Sequence, residues 1–162
     1  METPKINEKT VKIHNHFQFE AEFIESLRCI PMLVRMKLDT CGVKLKLSHW
    51  HQFSQLERQT LVEMPCDRPN EIQAYREWLQ NLITAKTGAP AKELTIDPHP
   101  PWLDATQIPV EVQTQAQAHD VTISIAQWEQ LNPAQRFALI KLSRPSHENR
   151  NFLPALKEFK IT

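Results

Sequence analysis

From Phe17 onward the apolar positions fall at helical spacing: Phe19, Phe23, Ile24 and Leu27 share one face. Pro31 can open a second helix, since its missing N–H is an orphan there in any case. Met32, Val34, Met36 and Leu38 follow, and Gly42 is placed to stop the helix just past its end. The pattern predicts a helical hairpin. Val43, Leu45 and Leu47 then alternate with Lys44 and Lys46, the period of a short extended segment. After a tryptophan-bearing turn over 48–53, Ser54 and Glu57 form a capping box, each side chain answering the other's backbone N–H. That predicts a helix to about Met64, ended by Pro65. Pro69 starts another, whose face of Ile72, Tyr75, Trp78, Leu79, Leu82 and Ile83 runs toward Gly88.

The pattern breaks at residues 89–120. Residues 93–120 hold Glu93, Asp97, Asp104, Glu111 and Asp120 with no lysine or arginine, and Pro98, Pro100 and Pro101 force extended backbone. This stretch reads as an acidic, proline-rich connector, with a modest helix from Pro109 to Ala118. The first half then recurs. Aligning Trp50 with Trp128, 78 residues later, also matches Val43 with Val121, Gln52 with Gln130, Arg58 with Arg136 and Leu61 with Leu139. Asn132-Pro133-Ala134-Gln135 repeats the helix entry in kind, and Arg144-Pro145 answers Arg68-Pro69 with a two-residue slip. Glu71, Tyr75 and Leu79 keep the mutual spacing of Glu148, Phe152 and Leu156. One account is a single unit used twice; the other is that W-x-x-h-[SN]-x-x-[EQ]-R-x-x-L is a common helix-entry phrase. The expected fold is all-α, a compact helical bundle with two pseudo-repeated helix-turn-helix units and a Pro-rich arm. Residues 1–16 form an N-terminal arm and 17–162 one helical domain, divided at 17–88, 89–120 and 121–162.

Composition narrows the function. Two glycines in 162 residues, Gly42 and Gly88, lie in no phosphate-loop context, which excludes P-loop and dinucleotide binding. Nineteen basic residues balance nineteen acidic ones, so broad electrostatic capture of nucleic acid or anionic membrane is not expected. Three scattered cysteines point to reduced thiols and a cytoplasmic setting. No signal peptide or membrane span is expected.

No catalytic constellation emerges. His14-Asn15-His16 only spells a nuclease motif whose real spacing covers tens of residues. His49 and His51 diverge on a helix and converge on a metal only along a strand. Cys29, Cys41 and Cys66 lack C-x-x-C spacing, and their ordinary fate is to be small buried thiols. They meet a metal only if folding gathers them, with His147 as a further ligand. Two polar clusters remain. One is Arg28, Arg35, Lys37 and Asp39, in which Arg35 and Asp39 have the spacing of a helical ion pair. The other is His147, Glu148, Asn149 and Arg150, which either form a pocket at a helix start or follow a Ser146 cap with Asn149 at its third position. Trp102, among prolines, either contacts a partner or pins the connector to the core.

Three stretches carry a resemblance: FQFEAEFIESLRCIPMLVRMKLDTCGVKLKL (17–47), WHQFSQLERQTLVEMPCD (50–67) and QRFALIKLSRPSHENRNFLPALKEF (135–159). Together they resemble the nitrate-reductase-associated protein family, found mainly in cyanobacteria and often encoded near nitrate reductase or molybdopterin-synthesis functions. The resemblance implies a non-enzymatic accessory factor for a molybdenum-dependent nitrate reductase, acting by protein–protein contact, without a cofactor of its own. It supplies no catalytic residues. Arg28 and Cys29, Cys66 and Asp67, and His147 to Asn149 fall in its matching stretches. The competing expectation is a metal- or cofactor-binding protein working through Cys29, Cys66 and His147.

Overall fold

The computed structural model describes residues 12–162. They contain nine α-helices and three short 3-10 turns, and the fold is all-α. Among the described residues the extended backbone pairs only as an isolated bridge, Val43 with Glu93. The chain divides into two compact units, the first ending at Ile96 and the second running from Asp97 to Thr162. Most of the N-terminal arm expected over 1–16 lies outside the described residues. Its last positions rest on the first unit: Ile13 is buried, and the Gln59 side chain bonds both the N–H and the carbonyl of His14.

The first unit holds α1 (Ala21–Glu25), α2 (Met32–Cys41), α3 (Leu47–Gln52), α4 (Gln55–Glu63) and α5 (Pro69–Thr87). A 3-10 turn, Gln18–Glu20, leads into α1. The Glu20 carboxylate is buried because it has work there: it accepts from Phe17 N and from Met32 N, an orphan donor at the start of α2. Pro31 precedes α2 in extended conformation, and Gly42 ends it at φ 75°. Glycine is required at that position, since a Cβ would stand 2.9 Å from both Leu94 O and Ile96 Cγ1. Tyr75, Leu79 and Ile83 give α5 a fully buried face against Val34, Cys41, Trp50 and Leu61.

The second unit holds a 3-10 turn, Pro101–Leu103, then α6 (Val110–Ala118), α7 (Ile125–Gln130), α8 (Pro133–Leu142), a 3-10 turn His147–Asn151, and α9 (Phe152–Glu158). Its centre is α8, buried from Arg136 through Ile140 and again at Leu142. Trp102 meets Phe137 edge-on at 5.1 Å, and Trp128 donates from Nε1 to Asp104 O.

Several local features of the two units lie 78 residues apart. Pro31 and Pro109 both precede their helix in extended conformation. Gly42 and Asp120 both have positive φ. Val43 N donates to Leu38 O, and Val121 N to Ala116 O. α3–α4 and α7–α8 are each a six-residue helix followed by a longer one, which the Ser54 and Asn132 side chains cap.

Two local expectations are revised. The extended lead stops at Lys46 and Trp50 rides a short helix, because His49 Nδ1 takes the Lys46 N–H and caps α3 one turn early. Ser146 caps a 3-10 turn through Glu148 N, and the α-helix begins only at Phe152. The reason is that Asn149 turns its amide back to Leu142 O and Arg144 O.

Candidate functional site

The densest buried chemistry lies in the first unit, where α2, the end of α4 and α5 meet. Lys37 and Cys41 are one turn apart on α2, and Cys66 sits on the turn between α4 and α5. Lys37 extends its ammonium to Val62 O (2.6 Å) and Met64 O (2.7 Å), two of the carbonyls that the end of α4 leaves open. The same Nζ lies 5.6 Å from the centre of the Tyr75 ring. Tyr75 is fully buried and donates its hydroxyl to Leu61 O. Burial pushes the Lys37 ammonium below the ordinary lysine range, against the opposing pull of Cys66, Asp67 and Glu63.

Cys41 and Cys66 are buried, free thiols that neighbour each other. The neighbouring Cys66 thiol holds Cys41 below the usual thiol range, against burial, while Cys41 and burial push the Cys66 thiol up. Each sulfur also approaches a backbone oxygen at 3.8 Å, Cys41 at Leu38 O and Cys66 at Lys37 O. Burial together with the neighbouring sulfurs keeps Tyr75 protonated.

The residues singled out in sequence fall into separate places. Arg28 is exposed and Cys29 buried on the loop between α1 and α2. Asp39 is half-buried on α2. Cys66 and Asp67 stand together on the α4–α5 turn, Cys66 turned inward and Asp67 exposed but near enough to bear on Lys37. In the second unit Trp102 is buried against Phe137 and offers its carbonyl to Arg136 Nε. His147 opens the 3-10 turn, Glu148 and Asn149 are half-buried, and Arg150 is exposed. Asn149 caps the carbonyls at the end of α8 and accepts from Gln115 Nε2 at 3.3 Å.

Among the described residues no group of three or more His, Cys, Asp and Glu side chains is arranged to hold a metal ion. The thiol that Cys66 meets is Cys41. No helix among the described residues is long and apolar enough to cross a membrane.

Sequence reading passed over Tyr75 as a functional group and did not pair Cys41 with Cys66. It also left Arg58 and Arg136 as repeat markers only. Both guanidiniums are buried and bind carbonyls at the end of the preceding short helix, Arg136 reaching the Pro101–Leu103 turn as well. Arg58 serves Trp50 O and His51 O; Arg136 serves Trp102 O, Trp128 O and Leu131 O. Their recurrence 78 residues apart, directly after a capped tryptophan helix, was the signal available.

The second unit also carries an open groove of about 530 Å³ between α6 and the start of α7. Ile108, Val110 and Ile125 supply its apolar lining, Gln113, Thr114 and Gln117 its polar one, and no charged residue takes part. Val110, Ile125 and nearby Leu103 are at least half exposed.

No curated protein and no solved structure matches the chain. One family model does, over residues 16–159, which takes in both units and all of the buried cluster. The chain belongs to the family described as conserved nitrate reductase-associated protein.

Proposed function

We propose that the protein is a cytoplasmic accessory factor that helps to produce active molybdenum-dependent nitrate reductase, and that it acts by binding its client rather than by catalysis. The family match over 16–159 carries this reading, because the family is named for association with the reductase. The structure is compatible with it. An assembly factor needs exposed apolar surface for its client, and Leu103, Val110 and Ile125 supply it on the second unit.

Deleting the gene, then measuring reductase activity, cofactor content and reductase protein together, tests the proposal. Loss of activity with apo-reductase still present is the expected result. Full activity in the deletion strain would overturn it. Crosslinked capture from nitrate-grown cells should recover the reductase, and Val110→Asp combined with Ile125→Asp should reduce that recovery about tenfold or more while leaving the melting temperature intact.

A further inference from the structure

The second unit separates its charges along the chain. From Asp97 to Gln135 it has no lysine or arginine, and Arg136, the next cation, is buried and occupied by three carbonyls. Asp97, Asp104, Glu111, Asp120 and Glu129 are all exposed over that stretch, and none forms a salt bridge among the described residues. Three of these acids stand at the open groove between α6 and the start of α7. The Asp104 carboxylate accepts from the N–H and the hydroxyl of Thr106, which lines it. Glu111 follows Val110, and Glu129 lies one turn beyond Ile125, the two apolar lining residues that are left most exposed. An apolar floor inside an acidic rim without counter-charges fits a partner that is aliphatic and basic.

The α6 wall also selects a backbone conformation. Gln113 holds the extended residue Ile123 by its main chain: Nε2 donates to Ile123 O at 2.8 Å, and Oε1 accepts from Ile123 N at 2.9 Å. Gln80 grips Ala91 in the same two-bond manner in the first unit, at 3.0 and 2.8 Å. A helix-borne amide clasping extended backbone is thus a device that both units use. Gln117 lines the groove one turn beyond Gln113, is exposed, and makes no side-chain hydrogen bond among the described residues. A helical partner satisfies its own backbone and has no use for that amide, whereas an extended one leaves N–H and C=O groups for it.

We propose that this groove binds an extended segment of a partner protein in which aliphatic residues alternate with lysine or arginine. The inference rests on the client-docking role proposed above for the same surface, and it names the part of a client that fits. Successive side chains of an extended segment point to opposite sides. The aliphatic set fills the space beside Ile108, Val110 and Ile125, Gln117 clasps the main chain between, and the long basic side chains bend to Glu111 and Glu129 at the rim.

Fluorescence anisotropy on the purified full chain tests this with two labelled peptides of identical leucine and lysine content. In one the two residues alternate; in the other the leucines take helical spacing. Equal charge makes non-specific attraction equal, so the order of residues decides. The alternating peptide should bind about tenfold or more tightly than the helical one, and replacing its lysines by glutamates should abolish binding. Glu111→Lys combined with Glu129→Lys should weaken it about tenfold or more, and Gln117→Ala about fivefold. All three positions are exposed, and an unchanged melting temperature shows that the variants are folded. No binding, equal or tighter binding of the helical peptide, binding of the glutamate peptide, or indifference to these substitutions would each overturn the proposal. Reductase capture that falls with Val110→Asp and Ile125→Asp but not with Glu111→Lys and Glu129→Lys would remove this inference and leave the client role standing. The expected peptide pattern without any capture of reductase would do the reverse.

Discussion

The two units solve one packing problem with unequal resources. In each, a short tryptophan helix runs into a capped longer helix, and a buried arginine on the longer one holds the carbonyls that end the shorter. The first unit has a 19-residue α5 to lay across that core, whereas the second has a 3-10 turn and the seven-residue α9. The first can rely on apolar burial along a long helix face. The second rests more heavily on polar staples: Arg136 serves three carbonyls where Arg58 serves two, and Trp128 adds a bond to Asp104 O. One unit thus adds a long apolar face to the hydrogen bonds of Lys37 and Tyr75, whereas the other closes with short elements around Arg136 and Trp128.

That contrast is broken most strongly at the arginines. Arg136→Leu leaves three carbonyls without their charged donor and should cost about 4 kcal/mol. Arg58→Leu should cost about 2 kcal/mol. Denaturant unfolding measures both. Hydrogen exchange should localise the loss to 125–142 in one case and 47–63 in the other. Equal losses would mean that the staples count alike and the comparison fails.

Next come the helix ends at positive φ. Gly42→Ala should destabilise by about 2 kcal/mol, through both the left-handed backbone and the collision with Leu94 O and Ile96. Asp120→Ala, whose backbone already tolerates a side chain, should cost less than about 1 kcal/mol by thermal melting. Tyr75→Phe removes the hydroxyl donated to Leu61 O and should cost about 1 kcal/mol. Phe152, at the matching place in the second unit, already manages without one.

The smallest effect distinguishes the two capping boxes by pH. Burial tends to raise the Glu57 carboxyl, but hydrogen bonds from Ser54 and the nearby Lys86 ammonium outweigh it and hold the pKa below the ordinary 4.5. A depressed folded value means that its stabilisation is complete above the unfolded pKa and is lost as acidification passes the folded one. Gln135, 78 positions later, makes the matching bond to Asn132 N and does not titrate. Acid should therefore loosen 54–63 before 132–142, and Glu57→Gln should abolish that difference in hydrogen exchange.

What the chain announces in advance is local. Ser54 with Glu57, Asn132 with Gln135, and Pro31 with Gly42 are readable because cap and helix lie within one turn or one helix length. What it hides depends on register between distant segments. Cys41 and Cys66 look unrelated until α2 and α4 are packed, and Lys37 looks solvated until its stem is seen to span to Met64 O. Arg58 and Arg136 resemble exposed helix charges, since nothing local tells that the preceding helix ends beneath them. Asn149 fits a cap position on paper, yet the unpaired carbonyls of α8 draw it away.

The arginine staple also imposes a timetable on synthesis. Trp102 O waits for a donor 34 residues further along, and Trp128 O for one eight residues along. At ribosomal speeds of about 5–20 residues per second, the segment carrying Trp102 leaves the tunnel roughly 2–7 s before Arg136 can reach it. During that interval an emerging chain holds an apolar indole and an unanswered carbonyl side by side, so residues 97–108 settle only once Arg136 has been made.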